Sequence, residues 1–238
     1  MQTTKTPGEP VAVNEERVVQ PFSRRKFLGY VGATSALLVT AASCKKDPVV
    51  SSTGVDLGSG DVGILNYAYA LEQLEAAFYI QVVTTPYSGI SALEMEYLTD
   101  IRNHEVAHRE FFKAAITAAA PSMVIPALSV NFSTIDFTSR TSVLSTAKSF
   151  EDLGVTAYNG AGQLISTTGN GPTYLTLAGK IVSVEGRHAA IIAELIAPNS
   201  FANTVDSNAL DGARTPAQVL AIAGTYITTQ INASNLPS

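Results

Sequence analysis

From Asp61 onward, apolar side chains recur every three or four positions rather than every second one, the spacing of helices buried along one face. A first helix is predicted from Asp61, placed to cap it, to about Val83, with Leu65, Ala68, Glu72, Glu75, Tyr79 and Val82 on its inner stripe. A second opens at Ser91-x-x-Glu94, a capping box, and aligns Leu98, Ile101, Glu105, His108, Phe112 and Ala115 before stopping short of Pro121. Residues 121–138 carry two prolines and little helical pattern, so they read as a long connection. A third helix over about 140–166 aligns Leu144, Ala147, Glu151, Val155 and Tyr158. The fourth starts near Pro172, aligns Ala178, Ile181, Glu185, His188 and Ile192, and ends before Pro198. Thr215-Pro216 opens a short fifth helix to about Thr229.

Carboxylates or imidazoles interrupt the apolar stripe of every long helix. An ionised glutamate buried alone costs several kcal/mol or more, so four of them need a compensating cation. The helices offer few bases on those faces, because Arg109 and Arg187 each adjoin a histidine but project elsewhere.

The two halves of the chain repeat the same pattern. Tyr79 follows Glu72, and Tyr158 follows Glu151, by 7 positions. Glu105 follows Glu72 by 33 positions and Glu185 follows Glu151 by 34, and each opens an ExxH pair, Glu105/His108 and Glu185/His188. Residues at i and i+3 lie about one turn apart on one helix face, so both members of a pair can point inward. Four carboxylates and two imidazoles suit two divalent first-row ions, with glutamates bridging and one histidine for each. The tyrosines are placed to hydrogen-bond the ligand carboxylates. Glu75, on the same face, is a further acid that can replace or support Glu72. Gly154 beside Glu151 fits close helix packing better than a space kept for the site.

His104-Glu105-Val-Ala-His108 also spells the HExxH zinc-protease motif. That chemistry needs a third ligand, and Ala114 stands where the short-spacer version places it. The second half has Val184 in place of His104, so the repeated unit is ExxH. His104 is then either a flanking residue or a donor behind the ligands.

Composition narrows the class. At 46% hydrophobic and 15% charged, the chain can bury a large core, and a net charge of −5 without a basic block argues against nucleic acid. Residues 1–22 are polar and irregular, and then Arg24-Arg25 precedes a modestly apolar run to Ser43. This resembles a twin-arginine export signal, with Gly29 where lysine is more usual. A membrane-anchoring helix is the alternative, though the run is short for one and contains Gly and Thr. Ala41-Ala-Ser-Cys44 looks like a lipobox, with the single cysteine as the lipidated residue, and it equally permits ordinary cleavage to a soluble product. The expected organisation is a signal peptide over 1–43, a flexible tether over 44–60 and one domain over 61–238. The product would be exported and held at the cell envelope, periplasmic or on the outer surface, by a lipid anchor.

The stretches LNYAYALEQLEAAFY, FEDLGVTAYNGAG and VEGRHAAIIAEL resemble the exported ferritin-like domain family, which includes plant desiccation-related proteins, over residues 61 to about 230. The resemblance implies an all-α four-helix bundle with a long crossover between helices two and three and a short fifth helix. It implies Glu72, Glu105, His108, Glu151, Glu185 and His188 as ligands for two iron or manganese ions. It also implies ferroxidase, peroxidase or manganese-catalase-like chemistry, with O2 or H2O2 as substrate. The competing expectation is a non-enzymatic stress or desiccation protein with a structural metal site. Passage through the twin-arginine machinery, which carries proteins already folded, fits a cofactor loaded beforehand.

Overall fold

The computed structural model of the protein describes residues 53–238. Arg24, Arg25, Cys44 and the tether as far as residue 52 lie outside the described residues. Four long helices dominate: α1 (Gly60–Thr84), α2 (Ala92–Ala119), α3 (Arg140–Gly162) and α4 (Gly171–Ile196). A short α5 (Pro216–Ala223) follows. The helices pack in two hairpins, α1 on α2 and α3 on α4, linked by the crossover, as an all-α bundle. No helix among the described residues is long and apolar enough to cross a membrane.

The helix starts follow local chemistry. Ser91 accepts a hydrogen bond from the Glu94 amide, and Glu94 accepts one from the Ser91 amide. Such caps contribute about 1 kcal/mol each. Thr215 and Gln218 make the same reciprocal pair at α5, with Pro216 in its first turn. Asp61 does not cap α1. Ser59 holds that position without a side-chain bond, and the Asp61 carboxylate accepts from the amide and hydroxyl of Ser166 instead.

Helix α1 departs most from the one-sided stripe. Every residue from Gly63 to Ala76 is buried, so the helix has no solvent face over nearly four turns. The crossover supplies the missing cover, and two polar side chains seven positions apart hold it there. Asn66 donates to the carbonyls of Leu57 and Met123 and accepts from the Ile125 amide. Gln73 donates to the Pro126 carbonyl and accepts from the Leu128 amide. The crossover also delivers Phe132 and Phe137 onto Phe78, which is 0% exposed and packs edge-on to Phe150 at 5.1 Å. Burying a phenylalanine contributes roughly 1.5–3 kcal/mol before such ring contacts are added.

The C-terminal segment closes the domain. Helix α5 ends at Ala223 rather than near Thr229, because the chain turns at Gly224 and runs extended. The Thr228 amide donates to Ser129 and the Asn131 amide to Tyr226, which fastens this tail to the crossover. Strand β1 (Val55–Asp56) then pairs in parallel with β2 (Ile231–Asn232). Residues 55–60, expected in the tether, thus belong to the folded domain, and Leu57 is 0% exposed. Backbone pairing with a segment so distant along the chain leaves no local periodicity to read.

Candidate metal centre

The four inward carboxylates sit at the middle of the bundle, one from each long helix, and Glu72, Glu105, Glu151 and Glu185 are all 0% exposed. Their contacts with the two histidines repeat about a twofold relation. His108 Nδ1 lies 2.9 Å from Glu185, 3.5 Å from Glu72 and 3.6 Å from Glu105. His188 Nδ1 lies 2.9 Å from Glu105, 3.4 Å from Glu151 and 3.5 Å from Glu185. Helices α2 and α4 therefore run antiparallel here, each presenting its histidine to the other's glutamate.

Two ligand groups result. Glu72, Glu105, His108 and Glu185 can place ligand atoms within 4.8 Å of one another, and so can Glu105, Glu151, Glu185 and His188. Glu105 and Glu185 belong to both groups. All six sequence-predicted residues thus meet at one place.

The alignment of these groups matters as much as their distances. Both Glu105 oxygens, both Glu185 oxygens, one oxygen each of Glu72 and Glu151, and both histidine Nδ1 atoms are buried without a hydrogen-bond partner. Even the 2.9 Å contacts lack hydrogen-bond alignment. Lone pairs that crowd together without addressing one another are aimed at a common guest, and the donor set is that of a divalent cation.

The other oxygens of Glu72 and Glu151 are held by tyrosines. Tyr79 on α1 donates to Glu151 Oε1 on α3 at 2.5 Å, and Tyr158 on α3 donates to Glu72 Oε1 on α1. Each tyrosine serves the glutamate of the opposite half. Burial first, then the adjacent carboxylate charge, hold both phenols well above their usual range, so they remain donors.

Electrostatics reflect the crowding. Burial opposes charging of His108, but the Glu105, Glu185 and Glu72 carboxylates outweigh it and push the ring up to about 12. His188 is pushed up to about 12 in the same way by Glu105, Glu151 and Glu185. Burial raises Glu151 to about 7 against the pull of His188. The equivalent Glu105 and Glu185 fall on opposite sides of the ordinary range. Burial and the Glu185 charge hold Glu105 high, whereas the two histidines outweigh burial at Glu185 and draw it to about 2. Two such carboxylates titrate as one unit, and their combined proton count is what pH changes.

A model of the ferritin-like domain family matches residues 60–198, more than half of the chain. The chain belongs to that family. No curated protein matches it. The matched span begins at the first residue of α1 and ends just past α4, so it contains the whole cluster. The ferritin-like fold thus accounts for the crossover and for one carboxylate on each long helix, and it supports metal binding at this cluster.

Three neighbours complete the ferritin-like site. Glu75 is buried beside the cluster and belongs to neither ligand group. Burial, then the charges of Glu105, Glu185, Glu151 and Glu72, push its carboxyl well above the ordinary range. Gly154 lies against it: a Cβ there would stand 3.2 Å from Glu75 Oε1 and 3.8 Å from Glu185 Oε2. A side chain at this position would crowd Glu75 of α1, so the glycine serves the close approach of α1 and α3. His104 is exposed, and its Nδ1 lies 2.9 Å from His188 Nε2, on the side of that ring turned away from the carboxylates. It stands behind a ligand and outside both ligand groups.

Proposed function

We propose that this ferritin-like protein is an exported di-metal carboxylate protein that acts on O2 or H2O2, as a ferroxidase or a peroxide-detoxifying oxidoreductase. The observation that carries the proposal is the pair of overlapping four-residue groups sharing Glu105 and Glu185. Glu72 and His108 would hold one ion, Glu151 and His188 the other, and the shared glutamates would touch both. Iron or manganese bound there would supply the redox chemistry. The chain's own contribution is to orient and to exclude water. Tyr79 and Tyr158 fix the outer glutamates, and burial keeps bulk solvent from the four carboxylates while His108 stays partly exposed.

The surroundings favour a small oxidant. An apolar cavity of about 20 Å³ adjoins the Tyr158 end, lined by Leu65, Ala68, Phe112, Ala157 and Tyr158 among others. A space of that size and polarity admits a small uncharged molecule and excludes a large or charged one.

Metal analysis of the native exported protein, followed by O2 or H2O2 consumption after loading with Fe2+ or Mn2+, tests the proposal. Two ions per chain with turnover supports it. Two ions with no consumption of either oxidant leaves a structural metal site and overturns the catalytic part. Export rests on Arg24-Arg25 and Cys44. Lysine at both arginines should leave precursor in the cytoplasm, and Cys44→Ala should release the protein from the membrane fraction. A Cys44→Ala protein that still sediments with membranes refutes the lipid anchor.

A further inference from the structure

The site is nearly twofold, and a contact at His188 departs from that symmetry. His104 Nδ1 and His188 Nε2 are 2.9 Å apart, with ring centroids 5.2 Å apart and planes inclined by only 11°. That centroid separation is close to the N···N distance plus the two ring radii, so the imidazoles lie end to end in nearly one plane. In that arrangement the lone pair of one nitrogen points along the N–H of the other. His108 has no such partner among the described residues. The position on α4 equivalent to His104 is Val184, which offers no acceptor.

We propose that His104 is a positioning residue that makes the two metal positions unequal, giving the ion held by His188 the higher affinity. The inference rests on the metal-centre proposal and adds to it which ion binds first and why. His188 turns Nδ1 toward Glu105, Glu151 and Glu185. With a cation at Nδ1, the ring proton sits on Nε2, where it donates to His104 Nδ1. The acceptor fixes the tautomer and the ring orientation and makes Nδ1 a better donor to the metal. His108 must find its orientation from packing and solvent alone. Because His104 is exposed, changing it leaves the core intact.

Calorimetric titration of the metal-free full chain with Co2+ tests this in wild type, His104→Val, His104→Asn and Val184→His. Wild type should bind two ions in two resolved steps. His104→Val, which copies the second half's residue, should weaken the tighter step by about 10- to 100-fold and bring the two together. His104→Asn should keep them apart, because its side-chain oxygen can accept where Nδ1 did. Val184→His should tighten the weaker step by giving His108 a partner. In the Zn2+-loaded protein, a slowly exchanging imidazole N–H resonance should appear for His188 in wild type and His104→Asn and vanish in His104→Val. Two ions bound with one common affinity in wild type, or His104→Asn behaving like His104→Val, would overturn the inference while leaving the metal centre standing. A wild-type chain that takes up no Co2+ overturns the metal centre, and this inference with it.

Discussion

The hydroxyl of Tyr79 on α1 donates to the carboxylate of Glu151 on α3, and the reciprocal bond from Tyr158 to Glu72 crosses the bundle the other way. The paired bonds require α1 and α3 to run antiparallel, since Glu72 faces Tyr158 while Tyr79 faces Glu151. They also predict an exchange of effects between halves. Tyr79→Phe should weaken the ion held by Glu151 and His188, and Tyr158→Phe the ion held by Glu72 and His108. Each change leaves a buried carboxylate oxygen unpaired, so each should also cost about 1.5–3 kcal/mol of stability in thermal unfolding. Effects confined to the tyrosine's own half would contradict the crossed arrangement.

Stoichiometry should separate the outer ligands from the shared ones. His108→Ala and His188→Ala should each retain close to one ion per chain, because each histidine belongs to one ligand group. Glu105→Gln and Glu185→Gln should disturb both ions, with affinities falling about 10- to 100-fold. Elemental analysis after equilibrium dialysis reads the difference. A histidine variant that loses both ions would show that the groups do not act separately.

The metal-free protein should lose stability as pH rises. Glu151 moves from 4.5 in the unfolded chain to about 7 when folded. Its contribution is therefore fully present below 4.5 and lost as pH climbs through about 7. His108 and His188, raised from 6.5 to about 12, carry the loss further in the same direction. Glu185, drawn down to about 2, runs the opposite way, and Glu105, held high beside it, offsets it. Melting temperatures of the metal-free form should thus peak in mild acid and decline toward alkaline pH. The gain on adding metal should grow with pH, because binding expels protons from the histidines. A metal-free form whose melting ignores pH between about 5 and 8 would argue against the cluster's charge state.

Asn66 should matter far more than a surface amide. It is 0% exposed and joins α1 to the crossover through Met123 and Ile125 and to the preceding segment through Leu57. Asn66→Ala strands two carbonyls and one amide, so a loss of about 2–4 kcal/mol is expected in denaturant unfolding. A loss below about 0.5 kcal/mol, the range of ordinary surface changes, would mean that Gln73 and the apolar side chains hold the crossover without it.

The bundle and the meeting of six inward-facing side chains were legible because both depend on short-range spacing. Periodicity near 3.6 places Glu105 and His108 on one face whatever surrounds them, and the duplication showed that Glu151, Glu185 and His188 do the same. What escaped depends on contacts between distant segments. The complete burial of α1 comes from a crossover with no pattern of its own, and the Asn66 and Gln73 bonds that hold it resemble ordinary polar positions in sequence. Strand pairing of Val55 with Ile231 joins distant segments that share no local signal. His104 was legible as a flanking residue or a donor behind the cluster, and the partner that decides between them, His188, is on another helix. Glu75 carried the right chemistry on the right face, and only the position of its carboxylate over Gly154 separates it from the ligand groups.

The duplicated hairpin carries a consequence for how such a centre can change. Two copies of one hairpin, associating as a symmetric dimer, would have to place every residue twice, and any alteration would appear at both metals together. Covalent linkage through the crossover removes that constraint and also removes the dependence of assembly on concentration. Each half can then drift independently while the other preserves the shared core. The difference between His104 and Val184 is of this kind, one that two identical, unlinked hairpins could not carry on one side alone.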